Sequence, residues 1–540
     1  MNLSQAAKVR KALLMMTFLG ISSAIFTVIF RLIISSHSQR CSVHDGFVRD
    51  AKDCSKFFYC QNGMVISTFQ CEKGAFYDQK NNICDWIRDE SQCINASRSS
   101  KSSTLGSFAD SSSSNAKKGS TPAPTTLFQG IMVSRNNDSK QSTHLHEYNY
   151  ESKYVIVCYF TNWASNRSRI NFVPENVNVD YCTHINYAFV VLDEKNLIIK
   201  LLDPWIDVGR QFMKRIIKLK QKNASLKVLL SIGGWVDSAG DKYSRLVNSS
   251  MARKNFITHA LQLLRKLNFD GLDLDWEYPK CWQAECAKGP ESDKYAFATF
   301  VQEIKQAFRP HGLLVTAAVS PSYPIVDAGY DVQSLAKNLD FINVMAYDYH
   351  GQWEKFASYH APLYARPESQ SFDPSDQYLN INFTIHHWMK RGMPSRKLVL
   401  GIPLYGRTFT LTGPASSHPQ KGFGMSAIRG GEPGRFTRER GFLSYYEICD
   451  NVRKNGWTVG RDGSGAAFAY HANQWVGYDD PESLRKKSEY IRQMNLLGGM
   501  VWALDLDDFS SFCCNSPYPL MRTLNAHLRG MEFPTKITCV

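Results

Sequence analysis

The chain is short of acid. Its 540 residues carry 49 Asp and Glu against 63 Lys and Arg, a formal net charge of +14. Such a balance raises the question of an anionic partner, but a basic run interleaved with aromatics is missing, and Lys and Arg are scattered along the chain. No nucleic-acid partner is therefore expected, and the charge reads as a solvated basic surface. Beyond residue 151 the sequence lacks a His or Cys cluster with metal-ligand spacing, so the chemistry is expected to use neither metal nor cofactor. No Ala-x-Ala-type cleavage site follows the apolar run at 13–34. The stretch 94–151 lacks the apolar content needed to fold.

What is present starts with compartment. Fourteen cysteines, six of them between Cys41 and Cys93, suit an oxidising environment. Glycosylation sequons at Asn95, Asn137, Asn166, Asn223, Asn248 and Asn382 agree with it. Residues 13–34 are apolar apart from Arg31 and a few small polar side chains, and are long enough to span a bilayer. Lys8, Arg10 and Lys11 precede them, which puts residues 1–12 in the cytosol as a tail and everything after 34 outside. The expectation is a single-pass signal anchor with the remainder extracellular or lumenal. The alternative is a cleaved leader and a secreted protein.

Residues 41–93 are too few to hold themselves together by burial, so disulfides must supply much of their stability. The aromatics Phe57, Phe58, Tyr59, Phe69, Phe76, Tyr77 and Trp86 exceed what so small a core can hide, and exposed flat rings suit the apolar faces of sugars. Residues 94–151, rich in Ser, Thr, Lys and Asn, read as a disordered linker. From 152 to 530 a beat of apolar strands recurs, at 154–160, 182–190, 226–234, 271–278, 313–320, 341–348, 398–406 and 499–507. Helical patterns separate most of them, at 209–222, 251–267, 292–308, 379–391 and 482–496. Eight strands so arranged predict an α/β fold, a (β/α)8 barrel whose working residues lie at the strands' C-terminal ends. The gap between strands seven and eight exceeds a plain crossover and predicts an inserted unit at about 408–475.

Four of the scarce acids fall within eight residues: Asp270, Asp273, Asp275 and Glu277 in FDGLDLDWEYP. Leu272, Leu274 and Trp276 alternate with Asp273, Asp275 and Glu277, a period of two that puts three carboxyls on one face of a strand. A solvated acidic face is the ordinary account of such a pattern. The preceding helix, with Phe256, Ile257, Ala260, Leu263, Leu264 and Leu267 on one side, instead makes this strand one beat of the barrel and turns the acids inward. Stacked carboxyls must share protons, which raises the pKa of at least one of them and equips it for general-acid work.

The motif DGLDLDWE resembles the signature of family 18 glycoside hydrolases, the chitinases, and further motifs carry the resemblance from 154 to about 528. LLSIGGW, MAYDYHGQW, PLYGR and VWALDLDDF fit the same family, with a departure at Ala346, where Thr or Ser is usual. Residues 41–93, with FFYC and CDW, resemble peritrophin-A type chitin-binding modules. The loop KCWQAEC resembles an insertion in large, often membrane-anchored or multi-domain chitinases of arthropods and nematodes. The inserted unit resembles the small α+β insertion that walls one side of the cleft in the larger members.

The resemblance implies an endochitinase acting on β-1,4-linked N-acetylglucosamine polymer, with chitin or chito-oligosaccharides as its partner and a monomeric state. It implies Glu277 as the acid that protonates the glycosidic oxygen. The substrate's own 2-acetamido oxygen serves as nucleophile, so the anomeric configuration is retained. Asp275 and Tyr347 then hold the acetamide, Asp273 shares a proton with Asp275, and Asp270 supports the motif's backbone. Tyr159, Trp163, Phe189, Trp235, Met345, Asp348, Trp353, Tyr405, Arg407 and Trp502 match the family's sugar-binding cleft, with Trp502 as its floor. The disulfides implied are Cys41–Cys60, Cys54–Cys93, Cys71–Cys84, Cys158–Cys182 and Cys449–Cys514. Cys281 and Cys286 bracket a short loop, and Cys513 and Cys539 are left over, either paired or with one free. The rival readings are a chitin-binding lectin on the same barrel, in which the motif's last acid is replaced, and an endo-β-N-acetylglucosaminidase acting on glycans.

Overall fold

The computed structural model describes residues 41, 46–50, 53, 55–61, 64–70, 75–78, 83–86, 154–366, 374–534 and 537–539. The expected cytosolic tail, signal anchor and linker lie outside them, and among the described residues no helix is long and apolar enough to cross a membrane. The chain divides into two compact units, residues 1–150 and 151–540.

In the first unit, strands Gly46–Arg49, Lys56–Gln61 and Met64–Gln70 form an antiparallel sheet in that order, and Ala75–Asp78 pairs with Ile83–Trp86. Phe57 and Cys60 are buried, and Cys60 is bonded to Cys41 across 6.0 Å between Cα atoms. The two other pairings expected in this unit, and the side chains of Tyr59, Phe69, Phe76, Tyr77 and Trp86, lie outside the described residues.

The second unit is the expected barrel. Its strands are β1 (Val155–Thr161), β2 (His184–Leu192), β3 (Lys227–Gly233), β4 (Gly271–Asp275), β5 (Leu314–Val319), β6 (Phe341–Val344), β7 (Leu398–Pro403) and β8 (Gly498–Trp502). All neighbours are parallel, and β8 pairs β1 to close the ring. Parallel strands covered on both sides read as near-continuous apolar runs, as these do. Each strand of the ring is tied to the next by register: Asp273 stands opposite Ser231 of β3 and Thr316 of β5.

The helix before β4 shows how local sequence builds a wall. It is helix α1 (Ser250–Leu267), begun by the Ser249 hydroxyl, which accepts from Ala252 N, and ended by Asn268 in the left-handed region at φ 62°. Phe256, Ile257, Ala260 and Leu264 are buried at spacings of one, three and four, the face of a helix. Phe256 meets Phe300 of helix α2 (Ser292–Phe308) edge-on, with ring centroids 5.3 Å apart.

Four strands end several residues earlier than the sequence pattern suggests, β7 at Pro403 and β8 at Trp502 among them. β4 ends at Asp275, so Glu277 stands on the loop beyond it, and β6 ends at Val344, after which two tight turns follow, Ala346 N donating to Val344 O and Tyr347 N to Met345 O. The inserted unit is α+β as expected but runs slightly wider, its sheet beginning at Tyr405–Leu411 and ending at Gln474–Tyr478 around helix Tyr445–Lys454.

The disulfide expectation for Cys449 is corrected. Cys158–Cys182 and Cys281–Cys286 form, but Cys449 pairs with Cys513, and Cys514 pairs with Cys539. The C-terminal stretch runs back along this loop, with Asn515 N donating to Thr538 O at 3.0 Å, and so delivers Cys539 to Cys514. Cys449 is left facing the adjacent Cys513.

Replacing Phe256 by Ala removes a ring that cannot be refilled by its rigid neighbours. It is expected to lower stability by about 3 to 5 kcal/mol in urea denaturation. A loss below about 1 kcal/mol would mean that this wall is not close-packed.

Candidate active site

The period of two in β4 resolves into two environments. Leu272 and Leu274 are buried on the outer side, and Trp276 stacks on Tyr243 at 5.6 Å and meets Phe297 edge-on. Asp273 and Asp275 point the other way, into the barrel, and both are buried. An inward carboxyl must find donors or remain costly.

Asp273 finds them on five other strands. Its Oδ2 accepts from Tyr159 Oη of β1 at 2.5 Å, Asn186 Nδ2 of β2 at 2.8 Å and Ser231 Oγ of β3 at 3.0 Å. Its Oδ1 accepts from Thr316 Oγ1 of β5 at 2.5 Å and Asn343 Nδ2 of β6 at 3.4 Å. These five donors satisfy the Asp273 carboxyl inside the barrel. Asp275 is hydrogen-bonded to it and also accepts from Tyr159 at 3.3 Å. Burial, and then the charge of Asp273, push the Asp275 carboxyl well above the usual range.

Glu277 sits just past the strand end, half-buried, its backbone N–H donating to Ser238 Oγ at 2.9 Å. A cis peptide joins it to Tyr278. Burial pushes its carboxyl up to about 8, with a hydrogen bond from Tyr278 opposing and the charge of Asp348 adding to the shift. Near neutral pH it therefore keeps a proton to give. Asp270, at the other end of β4, accepts from Val228 N at 2.8 Å and from Lys220 at 2.9 Å, bracing the backbone of the motif.

Asp348 shows the opposite shift. Burial alone would raise it, but Arg407 grips both oxygens, Nε to Oδ1 at 2.7 Å and Nη2 to Oδ2 at 2.6 Å, and holds it below the usual carboxylate range. Tyr405 donates to the same Oδ1 at 2.8 Å, and His360 Nδ1 lies 3.4 Å from it. Arg407 and Tyr405 lie beyond the end of β7, on the first strand of the inserted unit, so this ion pair joins insertion to barrel.

Aromatics form two groups around these acids. Tyr159, Trp163, Phe189 and Trp502 gather at the ends of β1, β2 and β8. Trp502 stacks near Phe189 at 5.8 Å and lies 5.2 Å from Tyr159, and Trp163 stacks on Phe189 at 6.0 Å. Across from them, Arg407 lies 5.4 Å from the ring of Trp353, which is 57% exposed, and Tyr347 meets Tyr405 edge-on at 6.1 Å. Trp235 follows β3, 49% exposed, and among the described residues its ring stacks on no other. Met345 is half-buried against the core at the end of β6.

Residues 155–507 match the model of glycosyl hydrolases family 18, and residues 41–93 match that of the chitin binding Peritrophin-A domain. The chain belongs to glycosyl hydrolases family 18. It is 43% identical to Probable chitinase 10 of Drosophila melanogaster over 90% of this chain and 20% of that protein, so it spans about a fifth of that relative's length. It is 40% identical to the Endochitinase of Manduca sexta over 71% of this chain and 69% of that protein. Among solved structures, catalytic domain 2 of the Group II chitinase of Ostrinia furnacalis is 47% identical with a TM-score of 0.67, covering 71% of this chain and 98% of that one. Human YKL-39, described as a pseudo-chitinase with retained chitooligosaccharide binding properties, is 35% identical with a TM-score of 0.62, covering 69% and 99%.

As a family 18 barrel the chain thus brings Asp273, Asp275 and Tyr159 into one network and Asp348, Tyr405 and Arg407 into another. Glu277 is electrostatically coupled to Asp275 and Asp348, and Tyr347 to all four acids. Sequence reasoning missed Asn186, Ser231, Thr316, Asn343 and His360. The first four were visible as single polar residues inside apolar strands, each of which, once buried, needs a partner.

The raised pKa of Glu277 has a consequence for stability. Its folded value, about 8, lies above its ordinary 4.5, so the proton's contribution is complete below the lower value and is lost as pH rises through the upper one. Stability relative to Glu277→Gln is expected to fall between about pH 5 and about pH 9 in urea denaturation. A constant difference would contradict a protonated, desolvated acid.

Proposed function

We propose that this chain is an endochitinase that cleaves β-1,4 linkages between N-acetylglucosamine residues with retention of configuration. The observation that carries the reading is a proton-holding acid at the open end of β4: Glu277, held protonated up to about 8 by burial, beside Asp275, whose carboxyl burial also raises. Glu277 donates its proton to the bridging oxygen as the glycosidic bond breaks and its electrons pass to the leaving sugar. The 2-acetamido oxygen of the remaining sugar attacks the anomeric carbon, forming a cyclic oxazolinium intermediate that water, deprotonated by Glu277, then opens. Asp275 receives the acetamide N–H as positive charge develops there.

Burial keeps the Tyr347 hydroxyl protonated, and among the described residues it has no better partner than Met500 Sδ at 4.0 Å, so it is free to donate to the acetamide oxygen. The exposed indoles of Trp163, Trp235 and Trp353 offer flat faces to sugar rings along the trough, and Trp502 its floor. A lectin on this barrel is the reading that loss of the terminal acid would favour, and Glu277 is in place. The peritrophin-A unit brings the barrel to insoluble chitin. The apolar run 13–34, preceded by Lys8, Arg10 and Lys11, supports anchoring to a membrane with the barrel outside the cytosol.

Glu277→Gln is expected to abolish turnover of a soluble chitin oligomer while its affinity changes little, with product anomers from the unaltered chain showing retention. Full activity in the variant, or inverted product, would refute the assignment. Removing residues 41–93 is expected to reduce action on insoluble chitin about tenfold or more while oligomer cleavage changes less than about twofold. Equal loss on both substrates would argue against a targeting role.

A further inference from the structure

The loop KCWQAEC between Glu277 and α2 has no part in the chemistry above, yet it is built with unusual care. Cys281 and Cys286 close it, with Cα atoms 3.6 Å apart. Lys280, Gln283 and Ala284 all take positive φ, at 65°, 49° and 67°, a region that side chains other than glycine seldom enter. Backbone of this kind persists only where its surroundings dictate it, and it gathers at functional sites.

Both the base and the tip of this loop are held by hydrogen bonds. At the base, buried Asp293 accepts from Trp282 Nε1 at 2.9 Å and from Lys280 N at 3.4 Å, while also accepting from Ser244 Oγ at 2.6 Å and Asn248 Nδ2 at 2.8 Å. Lys280 Nζ reaches back to Gly289 O at 3.0 Å and to Glu291 at 2.8 Å. At the tip, Gln283 N donates to Glu277 O at 3.0 Å, and Gln283 Nε2 donates to Trp235 O at 2.7 Å. One residue therefore links the backbone of the acid, through its own N–H, to the backbone of the exposed indole, through its side-chain amide. On its other side the Trp235 turn is tied to the same strand end, with Gly234 N donating to Asp275 O at 2.9 Å and Ser238 Oγ accepting from Glu277 N.

We propose that Gln283, presented by the Cys281–Cys286 loop, is a positioning residue that fixes Trp235 relative to Glu277 and so sets affinity for long substrates. The proposal rests on the reading of the trough as a chitin-binding cleft. Among the described residues the Trp235 indole has no neighbouring ring to stack on, so its placement depends on its turn, and Gln283 supplies a restraint on that turn from the side of the loop. Without it, a sugar stacking on Trp235 must also order the turn, which weakens ground-state binding and transition-state binding alike and raises KM without lowering kcat.

The test compares the full chain with Gln283→Glu, which is isosteric but cannot donate, and Gln283→Lys, which can. Steady-state kinetics on the hexamer of N-acetylglucosamine are expected to show KM raised about fivefold by Gln283→Glu with kcat changed less than about twofold, and KM restored to within about twofold by Gln283→Lys. Trp235→Ala is expected to raise KM, and adding Gln283→Glu to it is expected to raise KM no further. Unchanged KM in Gln283→Glu, a fall in kcat instead, or failure of the lysine to rescue would overturn the proposal. If the unaltered chain does not turn over the hexamer, the proposed activity fails. The same variants titrated with hexamer by tryptophan fluorescence still decide whether Gln283 governs binding, with an unchanged dissociation constant overturning it.

Discussion

A carboxyl buried at the centre of a closed barrel is the constraint on which the rest depends. Removing Asp273 from water is costly unless donors replace water, and no single strand can supply them. Tyr159, Asn186, Ser231, Thr316 and Asn343 do so from five different strands. Each bond requires its strand to be in one register, because a slip of one residue would turn the polar side chain outward and an apolar one in. The same network therefore pins the barrel and defines the acceptor beside Asp275.

From that anchor the electrostatics follow outward. Burial, and then the charge of Asp273, hold a proton on Asp275, and Glu277 at the strand end is also held protonated by burial. Asp348 goes the other way because Arg407 crosses from the inserted unit to grip it. One site thus holds two carboxyls protonated by burial and a third kept ionised by its guanidinium partner. The insertion contributes the Arg407 guanidinium and the Tyr405 hydroxyl to the site.

Much of this was legible beforehand. Eight apolar runs separated by helical patterns fixed the barrel to within a few residues, because burial on both faces leaves a strand few choices of side chain. The inward turn of Asp273 and Asp275 followed from alternation with Leu272, Leu274 and Trp276. Less legible were the strand ends: β4 stops at Asp275 and β6 at Val344, where the backbone turns on itself although the side-chain pattern continues. Asn186, Ser231, Thr316 and Asn343 carried a signal that went unused, since a lone polar residue in an apolar run asks for a partner without saying which.

What the sequence determined by itself, then, was everything set by periodicity: the strands, the helices, the face on which the acids lie, and the disulfide-rich unit that cannot fold by burial alone. Tertiary structure alone decided the pairings between residues remote in the chain: which hydroxyls and amides meet Asp273, that Cys513 bonds Cys449 while Cys539 returns to Cys514, and that Gln283 reaches Trp235. Periodicity is a property of neighbours along the chain and survives in the letters. Partnership across the barrel depends on register and on where loops return, and closure of the ring sets both.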